Sequence, residues 1–198
     1  MRAGIRFAAL DRPLKTLVVT SPGRGEGKSF VAANVAVAAA QEGLRVLIVD
    51  GHLGSPGVHA AFGLANDTGL SARLATGFTL GEIVVPTRVD GLQAITAGPP
   101  PPNPGRLAGS ANMQRLLEAV KERYDLVVVD SGPVLAASES RILSSWADAT
   151  LLVVAGGRTE RAALAEALEL LGAAKADVIG VVIDGAAGPG WLARLVKK

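Results

Sequence analysis

Short apolar runs recur along the chain, and between them the apolar positions switch from continuous blocks to a spacing of three and four. Residues 16–20 (TLVVT), 45–50 (RVLIVD), 92–96 (LQAIT), 126–130 (LVVVD), 149–155 (ATLLVVA) and 177–184 (DVIGVVID) are short and mostly rich in β-branched residues, which predicts buried strands. Residues 30–41, 111–123 and 160–171 read as helices. Met113, Leu116, Leu117 and Val120 line one face of the second, and Leu164, Leu168 and Leu171 one face of the third. Two briefer helical patterns, at 70–75 and 79–84, lie in a stretch from 51 to 97 punctuated by glycine and proline. The run PPPPNP at 99–104 predicts stiff, extended chain at the surface. Strands of this kind alternating with helices predict an α/β fold: a doubly wound, mostly parallel sheet covered on both faces.

One connection carries chemistry. Residues 20–30 (TSPGRGEGKSF) follow the first strand and open the first helix, the place a phosphate-binding turn must occupy. Gly23, Gly25 and Gly27 lack a Cβ, so the backbone there can curl with its N–H groups inward and let phosphate oxygens approach. Around them stand Arg24, Glu26 and Phe30. Lys28 would reach the outer phosphates, and Ser29, at the helix start, would offer its hydroxyl to Mg²⁺. The spacing is that of a Walker A loop whose first glycine is replaced by Pro22. ATP and Mg²⁺ are the ligands it predicts.

Two strands end in a carboxylate, Asp50 and Asp130. In an open parallel sheet, ligands bind beyond the carboxyl ends of the strands, so Lys28, Ser29 and Asp50 can converge on one crevice. Asp130 closes an LVVVD run in the form of a Walker B element, which holds Mg²⁺ directly or through water. Asp50, Asp130 and Lys28 are the candidate catalytic residues, and Ser29, Asp50 and Asp130 the candidate metal ligands.

Composition narrows the class. With 198 residues, 49% of them hydrophobic, the chain reads as one domain over 1–198, with a lead-in over 1–15 and a tail over 185–198. The net charge is only +2, and no lysine and arginine stripe is interleaved with aromatics, so nucleic acid is not an expected partner. There is no cysteine and no long apolar run at the N-terminus, and no apolar stretch reaches the ~20 residues of a membrane span. A cytoplasmic protein with no transmembrane segment of its own is expected. Trp191, Leu192, Leu195 and Val196, with Arg194, Lys197 and Lys198, fit either a basic amphipathic turn for a membrane surface or partner, or a partly docked terminus.

The loop SPGRGEGKS, the strand VLIVD followed by Pro56, His59 and Phe62 in a P-x-x-H-x-x-F pattern, the segment AGPPPPNP and the run RYDLVVVDSGPVL together resemble one family over nearly the whole chain. It is the cytoplasmic P-loop domain of bacterial tyrosine kinases of capsule and exopolysaccharide synthesis. That resemblance implies a P-loop NTPase fold of the partition and septum-site ATPase type, with ATP·Mg in the loop. It implies that Asp50 activates an acceptor tyrosine, that Asp130 handles Mg²⁺, and that Asp184 stands at the position of an adenine contact. It also implies a membrane-embedded chain-length regulator as partner, a homo-oligomer, and a place at the inner membrane through that partner. Partition ATPases carry a signature lysine where this chain has Gly23, with Arg24 one residue late, which disfavours that branch.

The departures define the expected role. The family's D-x-D-x-R reads Asp50-Gly51-His52-Leu53-Gly54, so an imidazole replaces a carboxylate and a guanidinium is missing. Phe30 stands for a second hydroxyl residue, Asp184 for an asparagine, and Ser131-Gly132-Pro133 for Thr-Pro-Pro. The N-terminal oligomerisation motif is reduced to Arg2, and the tail has no tyrosine. Tyr124, the single tyrosine, is expected to pack against the sheet. His52 reads as a weakly solvated turn residue or as a proton carrier or anion contact beside the phosphates. His59 reads as structural. The expectation is a nucleotide-dependent regulator, a pseudokinase or slow ATPase; the alternatives are an active protein-tyrosine kinase and a partition-type ATPase.

Overall fold

In the computed structural model, which describes residues 14–76 and 79–185, the apolar runs assemble into one seven-stranded sheet. Its strands are β1 (Thr16–Ser21), β2 (Val46–Asp50), β3 (Val85–Pro86), β4 (Leu92–Ile95), β5 (Leu126–Pro133), β6 (Ala149–Ala155) and β7 (Val178–Asp184). Their order across the sheet is β3-β4-β2-β5-β1-β6-β7, and every pairing is parallel except that of β3 with β4. This is the doubly wound, mostly parallel α/β architecture.

The central strands are apolar on successive residues because both faces are covered. Val18, Leu47, Val49, Val127 and Val129 belong to one core, while Leu17, Val19, Val46, Ile48 and Val128 belong to the other. The first core is closed by Met113, Leu116, Leu117 and Val120 of a helix at Ala111–Lys121 and by Leu143 of one at Ser138–Trp146. The second is closed by α1 (Lys28–Gln41), whose Val31, Ala32, Val35, Ala36 and Ala40 form its buried stripe. α1 begins at Lys28 rather than at residue 30, so the loop lysine is already helical. Tyr124 packs into the first core and its hydroxyl donates to Gln93 Oε1 at 2.6 Å, as its expected place against the sheet requires.

Four local readings change. Pro104, expected at the end of an extended run, starts a helix at Pro104–Ala108, where the first helical position needs no N–H. A five-residue helix at Val58–Phe62 lies in the stretch whose signals were mixed. The Ser138–Trp146 helix escapes a hydrophobic pattern because its buried face includes Glu139, Ser140 and Ser144. The last helix, Arg161–Ala173, buries Ala167 and Leu171 with Leu164 at their side, whereas Leu168 is 39% exposed. The lead-in through Pro13, with Arg2, and the tail residues from 186 on, with Trp191 and its neighbours, lie outside the described residues. Among the described residues no helix is long and apolar enough to cross a membrane.

Candidate functional site

The loop between β1 and α1 crosses the carboxyl edge of the sheet at its centre. Gly25 and Gly27 have φ of 71° and 87°, values a side chain resists. Gly27 is constrained twice, since a Cβ there would fall 2.1 Å from Asp184 Oδ2. Glu26 folds back so that its Oε2 accepts the Gly23 N–H at 2.7 Å. The N–H groups of Gly25, Glu26, Gly27, Lys28, Ser29 and Phe30 find no acceptor among the described residues. Six free donors around the N-terminus of a fourteen-residue helix make an anion cradle.

Facing that cradle are two buried carboxylates. Asp50 and Asp130 are direct register partners of the parallel pair β2 and β5, and both are fully buried. Asp50 Oδ2 accepts the N–H groups of Gly57 and Val58 at 2.9 Å each, while its Oδ1 has no partner among the described residues. Burial pushes the Asp50 carboxyl above the usual carboxylate range, against the opposing pull of those backbone donors. Asp130 has both oxygens unpartnered by geometry, and burial, then the nearby Asp50, pushes its pKa up to about 7. The Ser29 hydroxyl and the Lys28 amine lie near enough to draw it the other way. A Cβ on Gly57 would meet Ser29 Oγ at 2.9 Å and Asp130 Oδ2 at 3.7 Å, so only a glycine leaves room there.

These observations fit a hydrated magnesium ion. Orphaned buried carboxylate oxygens beside a hydroxyl form a hard, anionic oxygen set that repels itself until a cation arrives. No cluster of three or more His, Cys, Asp or Glu that could hold a metal exists among the described residues, so phosphate oxygens and water would complete the shell.

His52 opens a turn, its carbonyl accepting the Ser55 N–H at 3.0 Å, and is only weakly solvated, as one of its two readings has it. It is 8% exposed and packs on Gly132, where an added Cβ would lie 2.9 Å from its Cδ2. Burial, then the charges of Lys28 and Arg24, lowers its pKa to about 4, so the imidazole is neutral near pH 7. His59 is on the short Val58–Phe62 helix, its buried Nδ1 without a partner among the described residues. Phe30 is 65% exposed, so only its backbone N–H belongs to the cradle. Asp184, at the end of β7, lies against Gly27 at the loop's flank.

Two residues at the site were not read from the sequence. Arg158 donates from Nη2 to the Gly25 carbonyl at 2.9 Å, and the Thr159 hydroxyl donates to Glu26 Oε1. Both lie just past the carboxyl end of β6, the edge that already singled out Asp50 and Asp130, and that placement was the available signal.

The fold, the curled loop and the paired carboxylates define a P-loop nucleotide-binding protein. Residues 17–185 match the family described as the CobQ/CobB/MinD/ParA nucleotide binding domain. Over 185 residues the chain is 39% identical to the tyrosine-protein kinase YwqD of Bacillus subtilis (strain 168), covering 93% of this chain and 78% of that one. It is 32% identical to the putative tyrosine-protein kinase CapB of Staphylococcus aureus, over 93% of this chain and 81% of that one. The kinase domain of the Escherichia coli tyrosine kinase ETK superposes with a TM-score of 0.89 at 30% identity, over 96% of this chain and 76% of that one. The chain therefore belongs to the bacterial tyrosine-protein kinase branch of this nucleotide-binding family.

Proposed function

We propose that this chain binds ATP or ADP with Mg²⁺ in the cradle of residues 23–29 and serves as a nucleotide-dependent regulator, a pseudokinase or slow ATPase, of a membrane-embedded chain-length determinant in polysaccharide synthesis and export. The reading rests on one observation above the others. Free N–H donors and two orphaned carboxylates share a crevice in which the neutral, buried His52 stands where the resemblance expects a third carboxylate. Lys28 would neutralise the outer phosphates. Ser29, Asp50 and Asp130 would hold Mg²⁺, which when bound withdraws charge from the phosphate oxygens. A neutral imidazole cannot supply the missing negative charge, so turnover is slow and the nucleotide acts by biasing conformation.

An active protein-tyrosine kinase is the second reading, favoured by the free Oδ1 of Asp50, which is aimed by two backbone bonds to Oδ2 and could take a hydroxyl proton. Incubating purified protein with labelled ATP·Mg, with and without an added tyrosine substrate, separates the two. The regulator retains nucleotide, releases phosphate slowly and labels no protein. Rapid labelling of the added substrate would replace it with the kinase.

A further inference from the structure

We propose that Thr159, acting through Glu26, and Arg158, acting through Gly25, are positioning residues that latch the phosphate cradle into its binding shape. The inference rests on the nucleotide reading above and concerns how the loop is held before ligand arrives.

The latch is a directed chain of hydrogen bonds. The Ala155 N–H donates to Thr159 Oγ1 at 2.8 Å, so the one hydroxyl proton is left for Glu26 Oε1. The other oxygen of that carboxylate takes the Gly23 N–H at 2.7 Å. Glu26 is therefore fixed from both sides, and through it the first glycine of the loop is tied to the end of β6. Charge-assisted bonds to a carboxylate that is only 8% exposed are of the stronger kind.

Arg158 acts on the same loop at Gly25. Its bond to the Gly25 carbonyl fixes the plane of the Gly25–Glu26 peptide. In a trans peptide the C=O and N–H point in opposite directions, so holding that oxygen also sets the direction of the Glu26 N–H. That N–H is one of the six free donors.

The platform for both side chains is rigid. Gly157 turns the chain with φ of 74°, and the N–H groups of Arg158 and Thr159 both donate to the Ala155 carbonyl, at 3.1 and 3.0 Å. Ala155 ends β6, which pairs directly with β1, the strand that feeds the loop. A loop with glycine at 23, 25 and 27 has much backbone freedom to lose on binding, and two tethers from the end of a neighbouring strand, with the Glu26 bond to Gly23 inside the loop, remove part of that loss beforehand.

The test uses calorimetry of the full chain with Mg·ADP and with magnesium pyrophosphate, a probe that touches the cradle and nothing that recognises a nucleoside. Thr159→Val, which keeps shape and loses the hydroxyl, should weaken both ligands alike by about tenfold, the usual reach of one charge-assisted bond. Thr159→Ser should restore both. Arg158→Ala, at an exposed side chain whose loss the fold tolerates, should weaken both by about threefold and serves even if Thr159→Val folds poorly. Weakening of ADP without pyrophosphate, or no weakening in either variant, would overturn the latch. Lys28→Ala run beside them separates the two levels of the claim, because a failure of that control removes the nucleotide reading itself, whereas an effective control with inert Thr159 and Arg158 variants removes only the latch.

Discussion

Asp50 and Asp130 face each other across the pair β2 and β5 as register partners, both fully buried, with three of their four carboxylate oxygens unpartnered among the described residues. Two like charges so placed cost stability unless a cation lies between them. Burial first, and the nearby Asp50 second, raise the Asp130 pKa to about 7, and that shift carries the sign of the cost. The folded state holds a proton that the unfolded chain has released above about pH 4, so stability falls as pH rises from there towards 7. Asp130→Asn should therefore raise the melting temperature of the magnesium-free protein at pH 8, by an amount on the order of a few kcal/mol in stability, and abolish the extra stability that Mg·ADP gives the parent. An unchanged or lower melting temperature in chelator would remove the repulsion from the account.

Asp148 shows the opposite sign. Its Oδ2 accepts the N–H groups of Lys15 and Thr16 at 3.0 and 2.7 Å and the Thr16 hydroxyl at 2.9 Å, and Lys121 Nζ lies 3.5 Å from Oδ1. Burial pushes this carboxyl up, but the Thr16 donors and Lys121 outweigh it and hold the pKa below the usual range. Such a group stabilises the fold above its unfolded value of about 4 and loses that contribution as pH falls through its folded value. Asp148→Asn should cost about 1 kcal/mol at neutral pH, with its exposed side discounted, and flatten the acid limb of stability below pH 4. Urea titrations at pH 7 and pH 3 read both.

The sheet was legible because buried parallel strands write themselves as apolar runs, and the loop because Gly23, Gly25, Gly27, Lys28 and Ser29 follow such a run directly. Asp50 and Asp130 were legible as strand-end carboxylates, though their register across β2 and β5 was not. The Ser138–Trp146 helix hid because a buried Glu139 and two buried serines read as solvent-facing. Arg158 and Thr159 hid for another reason: they meet the loop from more than 130 positions away, through bonds to Gly25 and Glu26 that no local pattern records. His52 was legible as a weakly solvated turn residue, though the packing of Gly132 over it, from 80 positions along the chain, was not.

His52→Asp should restore a negative charge beside Lys28 and Arg24, the cations that help lower the histidine pKa to about 4. If the missing carboxylate is worth about 1.4 kcal/mol in the transition state, phosphate release at saturating Mg²⁺ rises roughly tenfold. Turnover equal to the parent would show that the slow-turnover argument cannot rest on this position.

Tyr124 is the single tyrosine, and its hydroxyl is engaged with Gln93 of β4. Protein purified without phosphatase should carry no phosphotyrosine by mass spectrometry, and Tyr124→Phe should cost only about 1 kcal/mol for that one bond. Abundant phosphate on Tyr124 would contradict its structural role.

The most direct measurement is ATP and ADP affinity of Lys28→Ala by calorimetry in Mg²⁺. Lys28 is buried at the head of α1 with no hydrogen-bonded acceptor among the described residues, beside the six free N–H donors. Losing a cation that spans the outer phosphates should weaken both nucleotides by roughly a hundredfold or more, with the fold intact by circular dichroism. Affinity equal to the parent would contradict the account at its centre.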